Sequence, residues 1–499
     1  MPAFTDLPTE TLSQIFHLCL AFRPDVDNYV RNTSLGTLDP SFARQLALHS
    51  LAGGDLATLE QVCSRFRIII AGTPSLWNEL TLDLHGFHAD AYLQLPIRPV
   101  FNLNGRIKRE ADQHKTLMWL LKRALQRSQS LPLTLAVRSM GEFPQSPLRL
   151  IFAESRRWES VTLDVPPSMQ VDFGPLKGQL PRLKELRVPT VYNPMLPISL
   201  SLVDPSPNHL VAVLASAEKL TQLEYAGPLR PIAKLSLLHL RRVKLGPLGV
   251  YDIPSLLQFM YRLPMGSTLF LDLMLIASQA DLNRLHGKLL DKGRNESQIS
   301  TLELSLSHTG AIAPLLDLFF SALAMPQLTS LLVHASDDVY SLSWPVNAAL
   351  QMLYPASIGL RELYIVDIDI KQAHLLQLLG CLLALESLAI GDKELPIAPL
   401  ITDSFFSALL VDWVDAPGDT MLLPKLKELQ LWTCGAFSDD VLRSFLIRRD
   451  RLGSAERFRL ALMWVPGTER VLSDDLAGTI EAGTQRGQLM FECTAFHRA

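Results

Sequence analysis

Histidines and cysteines are the side chains whose spacing would announce a metal site, and here they are scattered. His85 and His88 stand three apart in the turn-like HGFH, but no third ligand lies nearby in the sequence, so they are read as surface histidines. The five cysteines (Cys19, Cys63, Cys381, Cys434, Cys493) form no C-x-x-C pair, which suggests neither a zinc site nor a disulfide framework and leaves buried free thiols as the reading. Adjacent carboxylates at Asp337/Asp338, Asp439/Asp440 and Asp474/Asp475 could in principle share a proton for acid–base work. Each pair, however, stands where a loop or helix is expected to begin, and helix capping accounts for it. No phosphate loop G-x-x-x-x-G-K-[ST], no nucleophile elbow G-x-S-x-G and no H-E-x-x-H helix occurs in the chain. No catalytic, metal-ligating or cofactor-binding residue is therefore nominated, and no cofactor is expected.

A nucleic-acid surface is the next candidate, because seven basic residues fall between Arg106 and Arg127 (Arg106, Lys108, Arg109, Lys115, Lys122, Arg123, Arg127). Leu117, Leu120, Leu121, Ala124 and Leu125 share that stretch at helical spacing, so the charges read as the solvated outer face of an amphipathic helix. The formal net charge of the 499-residue chain is -4, which supplies no field toward nucleic acid or an anionic membrane. The first residues, MPAFTDLPTETLSQIF, lack the basic and apolar regions of a secretory signal. The most lipid-like run, Leu375 to Leu385, is about half of the ~20 residues a spanning helix needs. A location in the cytoplasm, the nucleus or both is expected, where the sequons at Asn32 and Asn295 mean nothing. The expected partner is another protein. Apolar residues make up 48% of the chain and charged ones 19%, enough for an extended core.

Two segments near the N-terminus carry helical stripes. In LPTETLSQIFHLCL, Leu12, Ile15, Phe16 and Leu20 recur at i, i+3, i+4 and i+8, with Asp6 or Thr9 to cap the start and Pro8 in the first turn. DLATLEQVCSRFRIIIAGTPSLW repeats the pattern with Leu56, Leu59, Val62, Cys63, Phe66, Ile69 and Ile70 before Gly72 and Pro74 break it. Such short helices bury part of their apolar surface among themselves, and the remainder calls for a partner.

The strings LP-x-E-x-L-x-x-IF, L-x-x-VC-x-x-FR and P-x-LW resemble the F-box, as carried here by Leu7, Pro8, Glu10, Leu12, Ile15, Phe16, Leu59, Val62, Cys63, Phe66, Arg67, Pro74, Leu76 and Trp77. The resemblance implies docking onto a Skp1-like adaptor and, through it, a cullin. Leu7, Pro8, Leu12, Ile15 and Phe16 are then the implied contacts, and Leu59, Val62, Cys63, Phe66, Leu76 and Trp77 the core of the module. The chain departs from the compact motif by an insertion, residues 21–54, which reads as a loop with a short helix near Ser41 to Leu51. Similar insertions occur in the F-box-like proteins of mushroom-forming fungi, to which the segments WLLKRALQRSQSLPLTL and SRRWESVTLDV are also similar.

Beyond the module the pattern L-x-x-L-x-L recurs nine times, centred on Val161, Leu186, Leu223, Val243, Leu302, Leu331, Leu363, Leu388 and Leu429, with weaker copies at Thr268 to Leu273 and Phe458 to Leu462. Intervals of roughly 20 to 41 residues bracket the period of leucine-rich repeats, in which a short strand points alternate side chains inward and a helix packs behind it. Helices are expected at Glu110 to Arg127, Pro314 to Ala324 and Lys371 to Leu383, and leading strands at Trp77 to Leu84 and Leu131 to Val137. Loops are expected at Pro189 to Pro207 and Asp412 to Thr420. Only Cys434 fits the turn position eight after the first leucine, so the repeats are irregular.

The fold expected is α/β: a small helical F-box module over 1–80, connecting segment and first repeats over 81–150, and an irregular leucine-rich-repeat solenoid over 151–499, parallel strands inside and helices outside. Strand residues out of phase with the core leucines face outward, and among these Tyr364, Trp432, Arg187, Arg242, Lys244 and His334 are the candidates for gripping a target protein. The functional expectation is a non-catalytic substrate adaptor of a ubiquitin ligase. The alternative is a leucine-rich scaffold that works outside any ligase.

Overall fold

The computed structural model describes residues 7–21, 59–84, 103–139, 145–165, 171, 173–189, 213–227, 229–232, 238–274, 279–290, 294–307, 313–335, 344–368, 370–392, 399–410, 422–451 and 457–495. Residues 22–54 of the expected insert, Asn32, His85, His88, Asp337, Asp338 and most of the two expected proline- and aspartate-containing loops (190–207 and 412–420) lie outside them. The chain divides into two compact units, Met1–Ala226 and Gly227–Ala499. The expected boundaries at 80 and 150 both fall inside the first.

The first unit opens with helices α1 (Thr9–Ala21) and α2 (Ser64–Gly72) and a 3-10 turn at Pro74–Leu76. Strand β1 (Glu79–Asp83) follows, then α3 (Leu103–Arg127), β2 (Leu133–Arg138), α4 (Ser146–Ala153), β3 (Trp158–Asp164), β4 (Glu185–Val188) and β5 (Gln222–Tyr225). Each strand pairs in parallel with the next in the chain.

The second unit is a longer run of the same alternation. After the short helix α5 (Leu229–Ile232) come β6 (Arg242–Leu248), α6 (Ile253–Arg262), β7 (Thr268–Met274), α7 (Gln279–Leu290), the two-residue β8 (Asn295–Glu296) and β9 (Thr301–Ser307). Then follow α8 (Ala313–Ser321), the two-residue β10 (Leu323–Ala324), β11 (Ser330–Ala335), α9 (Val346–Leu353), β12 (Glu362–Val366), α10 (Gln372–Gly380) and β13 (Ser387–Gly391). The last elements are α11 (Asp403–Leu410), β14 (Glu428–Thr433), α12 (Asp439–Arg451), β15 (Phe458–Trp464), α13 (Asp474–Gln485) and β16 (Leu489–Ala495). From β6 to β16 the long strands pair in parallel in chain order, skipping β8 and β10, which pair with each other. The result is a solenoid-like α/β arrangement.

Leucine explains the ladder. Alternate side chains of a strand face opposite ways, and the observed registers align the inward ones in rows: Leu302, Leu331, Leu363, Leu388, Leu429 and Leu460 in one, Leu304, Val333, Ile365, Ile390, Leu431 and Leu462 in the next. All twelve are buried. The turn before each strand adds a second ladder, made of backbone. The carbonyl of Ser300 accepts from the N–H groups of Thr329 and Ser330, that of Thr329 from Arg361 and Glu362, that of Arg361 from Glu386 and Ser387, and that of Glu386 from Lys427 and Glu428. One oxygen per repeat thus satisfies two donors of the next, which meets the requirement that buried backbone groups be paired.

After the strands, Asp392 does a job that sequence reading had not given it. Its buried carboxylate accepts from the backbone N–H of Leu400 (2.6 Å), Ile401 (3.3 Å) and Cys434 (3.2 Å) and from the Thr433 hydroxyl (3.3 Å). Cys434, the one residue that fits the expected turn position, donates its thiol to the same carboxylate at 3.4 Å. Burial, with the Asp392 charge beside it, pushes that thiol up to about 11. The pairs Asp439/Asp440 and Asp474/Asp475 open α12 and α13 as expected, and Ser473 caps the latter by accepting from Leu476 N–H.

Two outcomes test this arrangement. Asp392→Ala, which strands several buried donors at once, lowers the stability of the second unit by about 2–4 kcal/mol in a urea titration. At pH 8, iodoacetamide modifies the exposed Cys381 and Cys493 well before Cys434, whose raised pKa leaves almost no thiolate, as peptide mass mapping over time will show.

Candidate functional site

Two surfaces emerge, one in each unit. In the first, α1 forms because its apolar residues repeat at helical spacing, and its first turn closes where Leu12 N–H donates to the Pro8 carbonyl at 3.0 Å. Pro8 therefore precedes the helix instead of sitting in its first turn. Cys63 caps α2 by accepting from Phe66 N–H at 3.4 Å. Phe16 meets Phe66 edge-on, with ring centroids 5.2 Å apart, and Arg65 reaches back to the Leu7 carbonyl at 2.6 Å, so the two helices are joined by both packing and a charged hydrogen bond. The Trp77 indole donates to the Ile70 carbonyl at 2.8 Å and closes the small core.

These helices are clamped to α3. Glu60, only 8% exposed, accepts from Arg123 Nη2 at 2.7 Å and from Arg127 Nη1. Arg127 also stands 4.5 Å above the Trp77 ring, and Arg123 lies 5.3 Å from that of Trp119. A buried carboxylate is tolerated only when paired, and here two guanidinium groups pair with it. The reading of Arg123 and Arg127 as a solvated outer face is thus corrected: they face a partner 63 and 67 residues away. An i, i+4 pair of arginines looks the same in sequence whichever way it points.

The expected docking contacts divide. Pro8 is exposed and Leu7 and Ile15 are half-buried, whereas Leu12 and Phe16 are fully buried in the chain's own core and have no surface to offer, a correction to their expected role. Among the expected core residues Phe66, Leu76 and Trp77 are buried and Leu59 and Cys63 half-buried. Val62 is corrected in the opposite direction: it is 61% exposed, because it ends the turn before the Cys63 cap, where the chain changes direction.

In the second unit, the outward residues of neighbouring strands line up across the sheet. His334, Val366, Gly391, Trp432 and Met463 stand on one level, and Leu332, Tyr364, Ala389, Gln430 and Ala461 on the level below. Tyr364 and Trp432 meet edge to face at 5.4 Å across the small residues of β13, and Val366, Ala389 and Met463 complete an apolar cluster on this open face. Gly391 makes the packing possible, since a Cβ there would lie 3.1 Å from the Trp432 Cβ. Trp432, expected as an exposed anchor, is consequently only 8% exposed. Tyr364 remains half-buried, and its hydroxyl is pushed up by burial and then by the carboxylates of Asp367 and Glu303.

Beside the apolar cluster lies a polar one. Asp272 is raised by burial and held down by the Ser307 hydroxyl, Lys244 and His334. Asp272, which the sequence reading did not single out, thus lies within range of the charges of Lys244 and His334. Arg242 is exposed and lies 4.9 Å from the Phe270 ring. Arg187 belongs to the first unit, where Glu185 holds it at 2.7 Å. The structure therefore brings Tyr364 and Trp432 together, places Asp272 within electrostatic range of both Lys244 and His334, and leaves Arg187 in the other unit.

Among the described residues no three His, Cys, Asp or Glu side chains are grouped as a metal site would require, and no helix is long and apolar enough to cross a membrane. No protein-family model matches the chain, and no curated protein matches it either.

The clamp makes a local prediction. Glu60→Gln costs the helical segment about 1–2 kcal/mol, less than a fully buried pair because Arg123 keeps partial access to water. Hydrogen exchange then shows about tenfold less protection in Ser64–Gly72, while Leu133–Arg138 stays unchanged.

Proposed function

We propose that the chain is an F-box substrate adaptor: residues 7–77 dock a Skp1-like protein and through it a cullin, and a leucine-rich-repeat array presents a target for ubiquitin transfer by other subunits. The observation that carries this reading is what the helical module leaves over. Phe16, Phe66, Ile69, Ile70 and Trp77 fill its core and Glu60 clamps it to α3, while Pro8 and Val62 remain on the surface with Leu7 and Ile15 half-covered. A helical segment held this firmly by its charged side has its apolar remainder free for a partner. On the target side, Tyr364 and Met463 are the accessible parts of the apolar cluster, with Asp272, Lys244 and His334 providing polar selection beside them.

The docking half is tested by co-purification of the full chain with Skp1 and a cullin. Leu7→Ala combined with Pro8→Ala removes two side chains worth about 1.5 kcal/mol or more each at an interface, so affinity for Skp1 falls about 100-fold while the thermal melt is unchanged. Arg65 reaches Leu7 through its backbone carbonyl, a hydrogen bond that both substitutions keep. Full retention of both partners by the double variant would remove the proposed docking face. Capture of Skp1 without a cullin would favour a scaffold acting outside a ligase.

A further inference from the structure

The turns that lead into β12 and β13 carry large apolar side chains where three other repeats carry proline. Two residues before the first core leucine stand Pro181, Pro326 and, on the β14 turn, Pro424, while Glu218 and Leu238 fill that position ahead of β5 and β6. At the β12 and β13 turns the same position holds Ile358 and Leu383, 90% and 62% exposed. One residue later the small Gly359 and Ala384 leave room, and the result is an open depression of about 370 Å³ whose lining includes these two together with Arg361, Glu386 and Lys425. Single exposed aliphatic residues are ordinary. Two of them on neighbouring turns beside a lined depression are a surface with a shape.

The charges in it are arranged, not merely abundant. Glu386 sits on the middle turn, with Lys427 Nζ 2.9 Å from one of its oxygens and Arg361 Nη1 3.9 Å from the other. Lys425 is near enough to help hold its carboxyl below the ordinary value, after the hydrogen bond and charge of Lys427 and the charge of Arg361. Three cations thus surround one carboxylate, an excess of two positive charges. The nearest strand carboxylate on the β14 side, Glu428, is occupied by Arg459 at 2.9 Å. Arg361 and Lys427 occupy the same position of turns two strands apart, so roughly 10 Å separates their backbones with Glu386 between, and Lys425 stands two residues before Lys427, beside the same depression as Arg361.

That spacing decides the ligand. A single compact anion at the centre would meet Glu386, whereas two carboxylates that straddle it meet a cation each. In an extended chain alternate side chains on one face recur at roughly 7 Å, within reach of both long cations. From this geometry we infer that the turn edge of β12–β14 binds an extended acidic peptide segment of another protein, with carboxylates on alternate residues set against Arg361 and Lys425 and flanking apolar side chains on Ile358 and Leu383. The site lies on the turn edge, apart from the Tyr364–Trp432 cluster on the sheet face, and does not depend on the adaptor reading.

The test is fluorescence anisotropy of the full-length chain with a labelled peptide Ser-Leu-Glu-Ser-Glu-Leu-Ser, beside a version with both Glu replaced by Gln and one with a single central phosphoserine in place of the Glu pair. The two-Glu peptide binds, weakens as NaCl rises from 50 to 300 mM, and loses at least tenfold in affinity to Arg361→Ala/Lys425→Ala, while Glu386→Gln tightens it several-fold. Both substituted cations are surface side chains, and an unchanged circular dichroism melt establishes that the fold survives. No binding of the two-Glu peptide, equal binding of the Gln peptide, or full affinity in the double variant would overturn the site. Tighter binding of the phosphoserine peptide than of the two-Glu peptide would overturn the paired-carboxylate geometry.

Discussion

A strand of four to seven residues in a parallel ladder cannot bury its own leucines. Its inward side chains are covered only by the strands before and after it and by the helix behind, so every repeat depends on its neighbours for a core. That constraint explains why Leu302, Leu331, Leu363, Leu388, Leu429 and Leu460 occupy one row: a slip of one residue in any register would turn a leucine out of the core. It also fixes the turns. With strand spacing set by backbone hydrogen bonds, the preceding carbonyl of each repeat stands where it can accept two N–H groups of the next.

The same stacking turns irregular repeats into local chemistry. Because the ladder holds each turn and each outward side chain at a set spacing, a substitution at one position acts on its neighbours one and two repeats away. Gly391 admits Trp432 into an apolar cluster with Tyr364, and Asp392, the next residue, gathers donors from two separate turns. Irregularity in length has a role here as well, because the long passage from β13 to β14 is pinned at Leu400 and Ile401 by that one carboxylate.

In the first unit the controlling interaction is electrostatic. Glu60 would be costly to bury alone, and Arg123 and Arg127 make its burial tolerable while they cover the Trp77 ring. The clamp gives the N-terminal helices a fixed orientation toward α3, so an apolar patch on them is presented by a rigid support. A docking module that delivers a bound target to a separate catalytic subunit needs that rigidity, which is how the clamp and the proposed function meet.

The sequence by itself determined the repeating part of this protein. Leucine spacing located the strands from β1 to β15 that carry the repeat and the helices α3, α8 and α10, with α3 beginning at Leu103 where Glu110 was expected. Alternation also identified which strand residues oppose the core. It did not reveal whether those residues are open to a partner, because that depends on the opposite strand: Trp432 is covered only because Gly391 and Tyr364 stand beside it. Helical periodicity likewise marked Leu12, Phe16 and Val62 as one apolar class. Only the packing of α1 on α2 sent the first two inward and left Val62 outside. Glu60 with its arginines and Asp392 with its donors were illegible for a related reason. Each joins groups that are far apart in the chain or held by backbone alone, and pairing of that kind leaves no period in a sequence to read.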